Sequence, residues 1–202
     1  MSPASFVNEI TPVTVKSRRG DTVVEIDEQP GNARPDKIPS LRPAFKKDGT
    51  VTAGNASGIN DGAAALLLMS DTKAEELGLK PLVKIRAAAS GGVDPAYMGL
   101  GPIPSIRKIL KQENLNISDF SAIELNEAFA AQAIGCIREL NCDIEKTNKL
   151  GSGISIGHPI GCSGARILVT LVHTMMREGG DLGLASLCIG GGQGMAVALE
   201  QV

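Results

Sequence analysis

The stretch LGLASLCIGGGQGMAVALE, residues 182–200, decides the fold class of this 202-residue chain. It contains two short apolar runs, LGLASLC and MAVALE, and short apolar runs bounded by turn residues predict buried β-strands. The glycine-rich connection between them is too short for a helical crossover, so the two strands must be antiparallel neighbours. From residue 81 onward, strand-like and helix-like segments alternate. That alternation predicts a layered α/β domain.

The alternating segments can be located from their apolar periodicity. Besides the two C-terminal runs, strands are predicted over residues 82–90, 122–125 and 154–156. Helices are predicted over residues 105–114, 126–140 and 163–178.

The first 50 residues are polar and rich in proline. β-Branched runs at Thr11–Val15 and Thr22–Ile26 flank a charged turn and predict a hairpin. Residues 29–40 contain three prolines and predict an extended loop. Whether the cations of that loop, Arg34 and Lys37, are only solvated or contact a phosphate-bearing ligand stays open.

The next 30 residues begin with small-residue turns. Residues 63–69 are apolar on all sides, which predicts a buried segment. A short helix is predicted over residues 71–77, with Asp71 as its N-cap and Gly78 as its stop.

Composition excludes several classes of protein. With 43% hydrophobic and 21% charged residues, the chain is typical of a folded domain. Its net charge of -2 gives no sign of nucleic-acid or anionic-membrane binding. No apolar run reaches the roughly 18 residues of a membrane span. Four cysteines without a CxxC pair predict a reducing, cytoplasmic location and no metal site.

Three polar residues stand where a predicted strand ends, the edge at which ligands bind open α/β sheets. Asn126 follows AIEL, and as a helix N-cap it would only satisfy backbone donors. His158 lies among glycines near a helix start, whose dipole favours a neutral imidazole that can accept a proton; a lone histidine can also be purely structural. Cys188 ends a strand before glycine amides that could steady a thiolate, or it is a small core residue. Another cysteine, Cys162, lies near a helix start that could lower its pKa.

Four ordered motifs resemble those of the thiolase family. They are TAGNASGINDGAAA (52–65), LNEAFAAQ (125–132), SIGHPIGCSGAR (155–166) and LCIGGGQG (187–194). The resemblance covers nearly the whole chain. It implies a thiolase-like fold, layered α/β/α with a mixed sheet. It also implies an acyltransferase that condenses two acetyl-CoA into acetoacetyl-CoA and runs in reverse, with coenzyme A thioesters as substrates and no metal or redox cofactor.

The resemblance also implies residue roles. Asn126 would hold a catalytic water that forms one oxyanion hole with His158, and His158 would also activate a nucleophilic cysteine. Cys188 would remove the α-proton of the second acetyl-CoA, and Gly190 would donate its N–H to a second oxyanion hole. The residues expected to line the pantetheine and acyl parts of the substrate are Phe45, Ala53, Gly54, Ser57, Ala128 and Phe129.

The nucleophile itself has no counterpart in this sequence. Thiolases carry it in a CxSG-type motif of their N-terminal half, and here no cysteine precedes Cys136. We therefore expect only the C-terminal half of a thiolase: residues 1–58 as part of the covering loop region, 59–80 as the last piece of the N-terminal domain, and 81–202 as the C-terminal domain.

A second polypeptide would then supply the N-terminal half, in a dimer or tetramer of thiolase units. An inactive fragment and a non-catalytic acyl-CoA-binding scaffold are the alternatives. A local departure from the family pattern, Leu150 and Ser152 in KLGSGISIGHP, is expected to change the support of the His158 loop.

Overall fold

A computed structural model describes residues 3–202 of the protein. The core is a four-stranded mixed sheet in the order β3-β6-β5-β4. Its strands are β3 (Val83–Gly92), β4 (Ala122–Leu125), β5 (Leu182–Ile189) and β6 (Gln193–Gln201). β5 and β6 are antiparallel, as their short connection predicts, β6 is antiparallel to β3, and β4 runs parallel to β5.

Helices cover both faces of the sheet, so the α/β/α layering is confirmed. On one face lie α3 (Pro102–Glu113) and α4 (Ala130–Leu140). Their buried residues, such as Ile106 and Cys136, share one core with the sheet. On the other face α5 (Ser163–Glu178) packs Leu171 and Met175 into a second core. The low aromatic content fits this packing, because aliphatic and small side chains fill most of both cores and Phe120 is the only aromatic residue among their buried members.

The first 80 residues form small, separate elements. The predicted hairpin is present as β1 (Val13–Val15) paired with β2 (Thr22–Val24). The predicted loop over residues 29–40 contains two short helical turns instead, α1 (Glu28–Gly31) and a 3-10 turn at Pro35–Ser40. Pro30 and Pro35 lie in the first turns of these elements, where proline is tolerated because the N–H has no partner within the helix; Pro39 lies inside the 3-10 turn.

Three predictions in the middle of the chain are wrong in detail. The strand expected at residues 154–156 is a turn, and Gly157 follows it with a φ of 114°. The helix expected from residue 126 begins at Ala130. In α2 (Asp71–Glu76) the N-cap is Ser70, whose hydroxyl accepts the backbone N–H of Lys73 at 3.2 Å; Gly78 follows this helix in the left-handed conformation, as a stop residue should.

Residues 63–69 were predicted to be buried, and the structure corrects this. The segment has no regular secondary structure, and Leu67 and Leu68 are 83% and 65% exposed. The apolar pattern identified a segment whose side chains would be expected to pack against other residues, but no other part of the described chain buries them. Within residues 3–202, no helix is long and apolar enough to cross a membrane.

Two glycines distant in sequence meet where β6 approaches the start of α3. A Cβ added to Gly194 would overlap the carbonyl carbon and oxygen of Gly101, and one added to Gly101 would overlap the backbone of Gln193. Backbone cannot yield as a flexible side chain can. Gly194 also pairs with Cys188 across β5 and β6, so this contact supports one of the candidate site residues.

We expect Gly194→Ala to destabilise the chain by about 2–3 kcal/mol, because the new methyl group must displace backbone. Urea unfolding followed by circular dichroism measures this change. Gly164→Ala is the matched control: nothing lies within 4 Å of its added Cβ, and alanine in a helix is favoured over glycine by about 0.5–1 kcal/mol. An unfolding midpoint for Gly194→Ala equal to that of the parent chain would contradict the prediction.

Candidate active site

The parallel pairing of β4 with β5 brings two candidate residues to the same edge of the sheet. Leu125 is in register with Ser186, and the backbone N–H of Asn126 donates to the Ser186 carbonyl at 2.9 Å. Asn126 therefore continues the end of β4, and Cys188 lies two residues further along β5. Both stand at the carboxyl ends of parallel strands, where α/β sheets bind ligands.

Asn126 is not a helix cap. Helix α4 begins four residues later, with Phe129 in the cap position. The Asn126 side chain is fully buried, and its Nδ2 lies 3.4 Å from Nε2 of His158. Its Oδ1 has no hydrogen-bond partner within the described residues. Because a buried polar atom normally has a partner, this oxygen is suited to a group that arrives with the substrate.

The His158 ring has a defined tautomer in this environment. Its Nδ1 lies 2.6 Å from Oγ of Ser163, and the Ser163 hydroxyl donates to the Pro159 carbonyl at 3.0 Å. With its proton committed there, Ser163 accepts a hydrogen bond from Nδ1–H. Nε2 is then the unprotonated nitrogen, facing the Asn126 amide, and it can accept a proton.

Burial lowers the pKa of His158, and the positive charge of Arg166 lowers it further. The expected neutral imidazole is thus favoured by burial and by the charge of Arg166. A histidine that stays neutral at physiological pH can act as a general base.

The loop that carries His158 is held by a residue almost a hundred positions upstream. The His158 backbone N–H donates to Oδ1 of Asn60 at 3.1 Å, and Ile59 forms a parallel bridge with His158. A Cβ on Gly157 would meet the Asn60 amide at 2.8 Å. Asn60 was not identified from the sequence. Its only signal was its place in TAGNASGINDGAAA (52–65), one of the motifs that resemble those of thiolases.

Asn148 is a second positioning residue that the sequence did not reveal. Its side chain accepts the Leu125 N–H and donates to the Leu125 carbonyl, both at 2.8 Å, and so clamps the residue before Asn126. It has a φ of 50°, a conformation in which asparagine is favoured. At the departure from the family pattern, Ser152 is fully buried and donates to the same carbonyl at 3.3 Å, while Leu150 is buried.

Cys188 lies on β5 opposite Gly194 and is 7% exposed. Burial raises the pKa of its thiol above the ordinary value, so in this chain the nearby glycines do not produce the depressed pKa that their amides suggested. The turn Gly190–Gly192 follows; Gly190 and Gly191 are exposed and Gly192 is buried. Burial likewise raises the pKa of Cys162, which corrects the expected effect of the helix start.

The covering loop region (residues 1–58), or covering segment, contacts the residues just before α4. The rings of Phe45 and Phe129 pack edge to face with centroids 5.9 Å apart. The Ser57 N–H donates to the Ala128 carbonyl at 2.9 Å, and Ala56 bridges Phe129. Four of the six expected substrate-lining residues therefore lie together.

The other two residues of that set lie within the covering segment itself. Gly54 lies against Leu41 and Ile38, and Ala53 is exposed. Phe45, although packed against Phe129, is 73% exposed and so has a free surface for a ligand.

Among the described residues, no three His, Cys, Asp or Glu side chains are grouped as metal ligands. All four cysteines are free thiols.

Known proteins and solved structures resemble this chain over almost its whole length. The acetyl-CoA acetyltransferase of Syntrophomonas wolfei is 56% identical over 197 residues, which is 96% of this chain and 50% of that protein. The β-ketoadipyl-CoA thiolase of Pseudomonas aeruginosa is 50% identical, across 98% of this chain and 50% of its own length. The crystal structure of the Bacillus anthracis acetyl-CoA acetyltransferase superimposes with a TM-score of 0.96 at 50% identity, covering 98% of this chain and 51% of that one.

The chain thus spans about half the length of the curated relatives it matches. The family model for the thiolase N-terminal domain matches residues 2–72, and the model for the thiolase C-terminal domain matches residues 79–201. This chain belongs to the thiolase family.

Proposed function

We propose that this chain provides the C-terminal catalytic residues of an acetyl-CoA acetyltransferase, which condenses two acetyl-CoA into acetoacetyl-CoA and catalyses the reverse thiolysis. One observation carries the proposal: the buried Asn126 amide lies 3.4 Å from the His158 ring, at the sheet edge that Cys188 shares. The names of the relatives support acyl transfer between coenzyme A thioesters.

Claisen chemistry needs preset donors for a developing oxyanion. We assign one oxyanion hole to His158 and to a water held by Asn126, and the second to the N–H of Gly190. His158 Nε2, unprotonated in the tautomer derived above, takes the proton of the nucleophilic thiol. Cys188 gives its thiol proton to the coenzyme A thiolate that leaves when the nucleophile is acylated, and the Cys188 thiolate so formed removes the α-proton of the second acetyl-CoA. Since burial raises the pKa of Cys188, its thiolate is a strong base once formed.

The substrate would enter beneath the covering segment. Phe45, Ala53, Gly54 and Ser57 would contact the pantetheine, and Ala128 and Phe129 would enclose the acyl group. The packing of Phe45 on Phe129 supports this assignment, because it joins the two groups of residues into one surface.

The nucleophilic cysteine would come from a complementary N-terminal thiolase half, present as a second polypeptide in a hetero-oligomer. In this arrangement residues 1–58 belong to the covering region, 59–80 complete the first domain, and 81–202 form the second. The exposed apolar surface of residues 63–69 supports it, since such surfaces usually mark an interface. The free thiols agree with a cytoplasmic enzyme, and the proposal requires no cofactor beyond coenzyme A.

Co-expression with a thiolase N-terminal half that carries the CxSG motif should give acetoacetyl-CoA thiolysis. In that complex, His158→Asn should lower kcat by about 10²–10⁴-fold, because general-base catalysis is lost. The loss of acetoacetyl-CoA absorbance in the presence of coenzyme A measures the rate.

The matched control is His173→Asn, which changes the only other histidine of the chain and should leave kcat within about twofold. Absence of thiolysis with every such half would refute the catalytic proposal. Coenzyme A binding without any thiolysis would favour the scaffold alternative.

The activity should fall on acidification with a midpoint below pH 6.5. The proton acceptor is neutral His158, whose pKa lies below its ordinary value of 6.5; activity is therefore complete above that pKa and is lost as the pH drops through it. The pH profile of kcat/KM tests this prediction. An acidic midpoint above 6.5 would contradict it.

Alone, the chain should self-associate through residues 63–69, and the complementary half should convert it to a defined complex. The double change Leu67→Glu and Leu68→Gln should reduce self-association, because both side chains are exposed and apolar. Light scattering after size-exclusion chromatography measures the mass. The control Ile144→Glu changes an exposed apolar residue elsewhere and should have no such effect; a stable monomer of the parent chain would count against the interface.

A further inference from the structure

Two ionisable residues outside the assigned site, Glu124 and Arg166, lie directly behind it. Glu124 is on β4, two residues before Asn126, so both side chains project from the same face of the strand. Ala122, on that face, packs with α5, whereas Ile123 and Leu125 pack in the core shared with α3 and α4. Glu124 therefore faces α5, and it is only 2% exposed.

Arg166 approaches Glu124 from the first turn of α5. Its Nη1 lies 3.9 Å from Glu124 Oε2, and its side chain is 16% exposed. The same turn carries Ser163, whose hydroxyl accepts the hydrogen bond from His158 Nδ1. One helical turn thus contacts the His158 ring through one residue and β4 through another.

The electrostatic surroundings make Arg166 the main charge felt by His158. After burial, Arg166 is the cause that lowers the pKa of His158. Burial raises the pKa of Glu124 to about 8 against the attraction of Arg166, so Glu124 is largely protonated at neutral pH. It then touches the guanidinium as a neutral acid and leaves most of its positive charge uncancelled.

Other titratable groups surround this pair from each packed element. Those that act on Glu124 or Arg166 are Glu9, Asp27, Glu127 and Cys162, the residue before α5. His173 and Arg177 of α5 act on Glu9, and Asp61 lines a cleft together with Cys162. Burial raises the pKa of the partly buried Glu9 as well, against the attraction of Arg166, His173 and Arg177.

We propose that Arg166, 3.9 Å from Glu124 on β4, is a positioning residue for His158: its positive charge disfavours protonation of the imidazole, and its mostly buried side chain lies between β4 and the first turn of α5, which contacts the ring through Ser163. The inference rests on the proposed function for its catalytic meaning. The charge effect on the imidazole is independent of that function and can be measured without an activity assay.

Nuclear magnetic resonance titration of the histidine-labelled full chain, alone or bound to an unlabelled complementary half, tests the proposal. The chain has only two histidines, and a His173→Gln variant assigns the two signals. Arg166→Met should raise the pKa of His158 by about 0.5–1 unit, because a nearby cation is removed. Arg166→Lys, which keeps the charge, and Glu124→Gln, which keeps the shape of the neutral acid, should each change it by less than about 0.2 units.

In the active complex, the acidic midpoint of kcat/KM should rise by the same amount in Arg166→Met and remain in place in Arg166→Lys. Arg166→Gln makes the same charge change with a polar side chain, in case the Met variant does not fold. An unchanged His158 pKa in either folded variant overturns the proposal. Failure of both variants to fold, judged by circular dichroism, also overturns it, because the residue would then be structural. A shifted His158 pKa in a complex without thiolysis would support the electrostatic inference while refuting the proposed function.

Discussion

Because β4 and β5 run parallel, two segments separated by some 60 residues leave the sheet at the same edge, and the rest of the site depends on this pairing. The hydrogen bond from the Asn126 N–H to Ser186 extends the ladder by one residue beyond β4. That bond fixes the position of Asn126 along the strand direction relative to Cys188. Pairing of β5 with β6 then sets Cys188 opposite a glycine, where the backbone of the α3 start comes closest.

The sheet edge alone does not bring His158 to this place. Its loop is irregular, and irregular backbone must find its partners elsewhere. Asn60 and the bridge at Ile59 supply them from one side, and on the other side the Ser163 hydroxyl of α5 donates to the Pro159 carbonyl. Asn148 performs the equivalent task for the end of β4. The positions of Asn126 and His158 therefore depend on three side-chain amides or hydroxyls, those of Asn148, Asn60 and Ser163.

Periodicity was sufficient where an element buries one face along its whole length. Helix α5 and strands β5 and β6 were located to within two residues, because their apolar positions repeat without interruption. Periodicity failed where residues contact a part of the chain outside their own helix or strand. Residues 126–129 look helical, yet they leave β4 and bridge to the covering segment before α4 starts. The roles of Asn60 and Asn148 could not be read from spacing, since their contacts lie 98 and 23 positions away.

The bond between Asn60 and His158 has a practical meaning for dividing a thiolase into pieces. The two family models meet between residues 72 and 79, which invites a cut at that boundary. Such a cut would detach the asparagine that holds the histidine loop, while Asn126, His158 and Cys188 would remain on the C-terminal fragment. A cut that keeps this bond lies upstream of Ile59 and not at the boundary between the two family models.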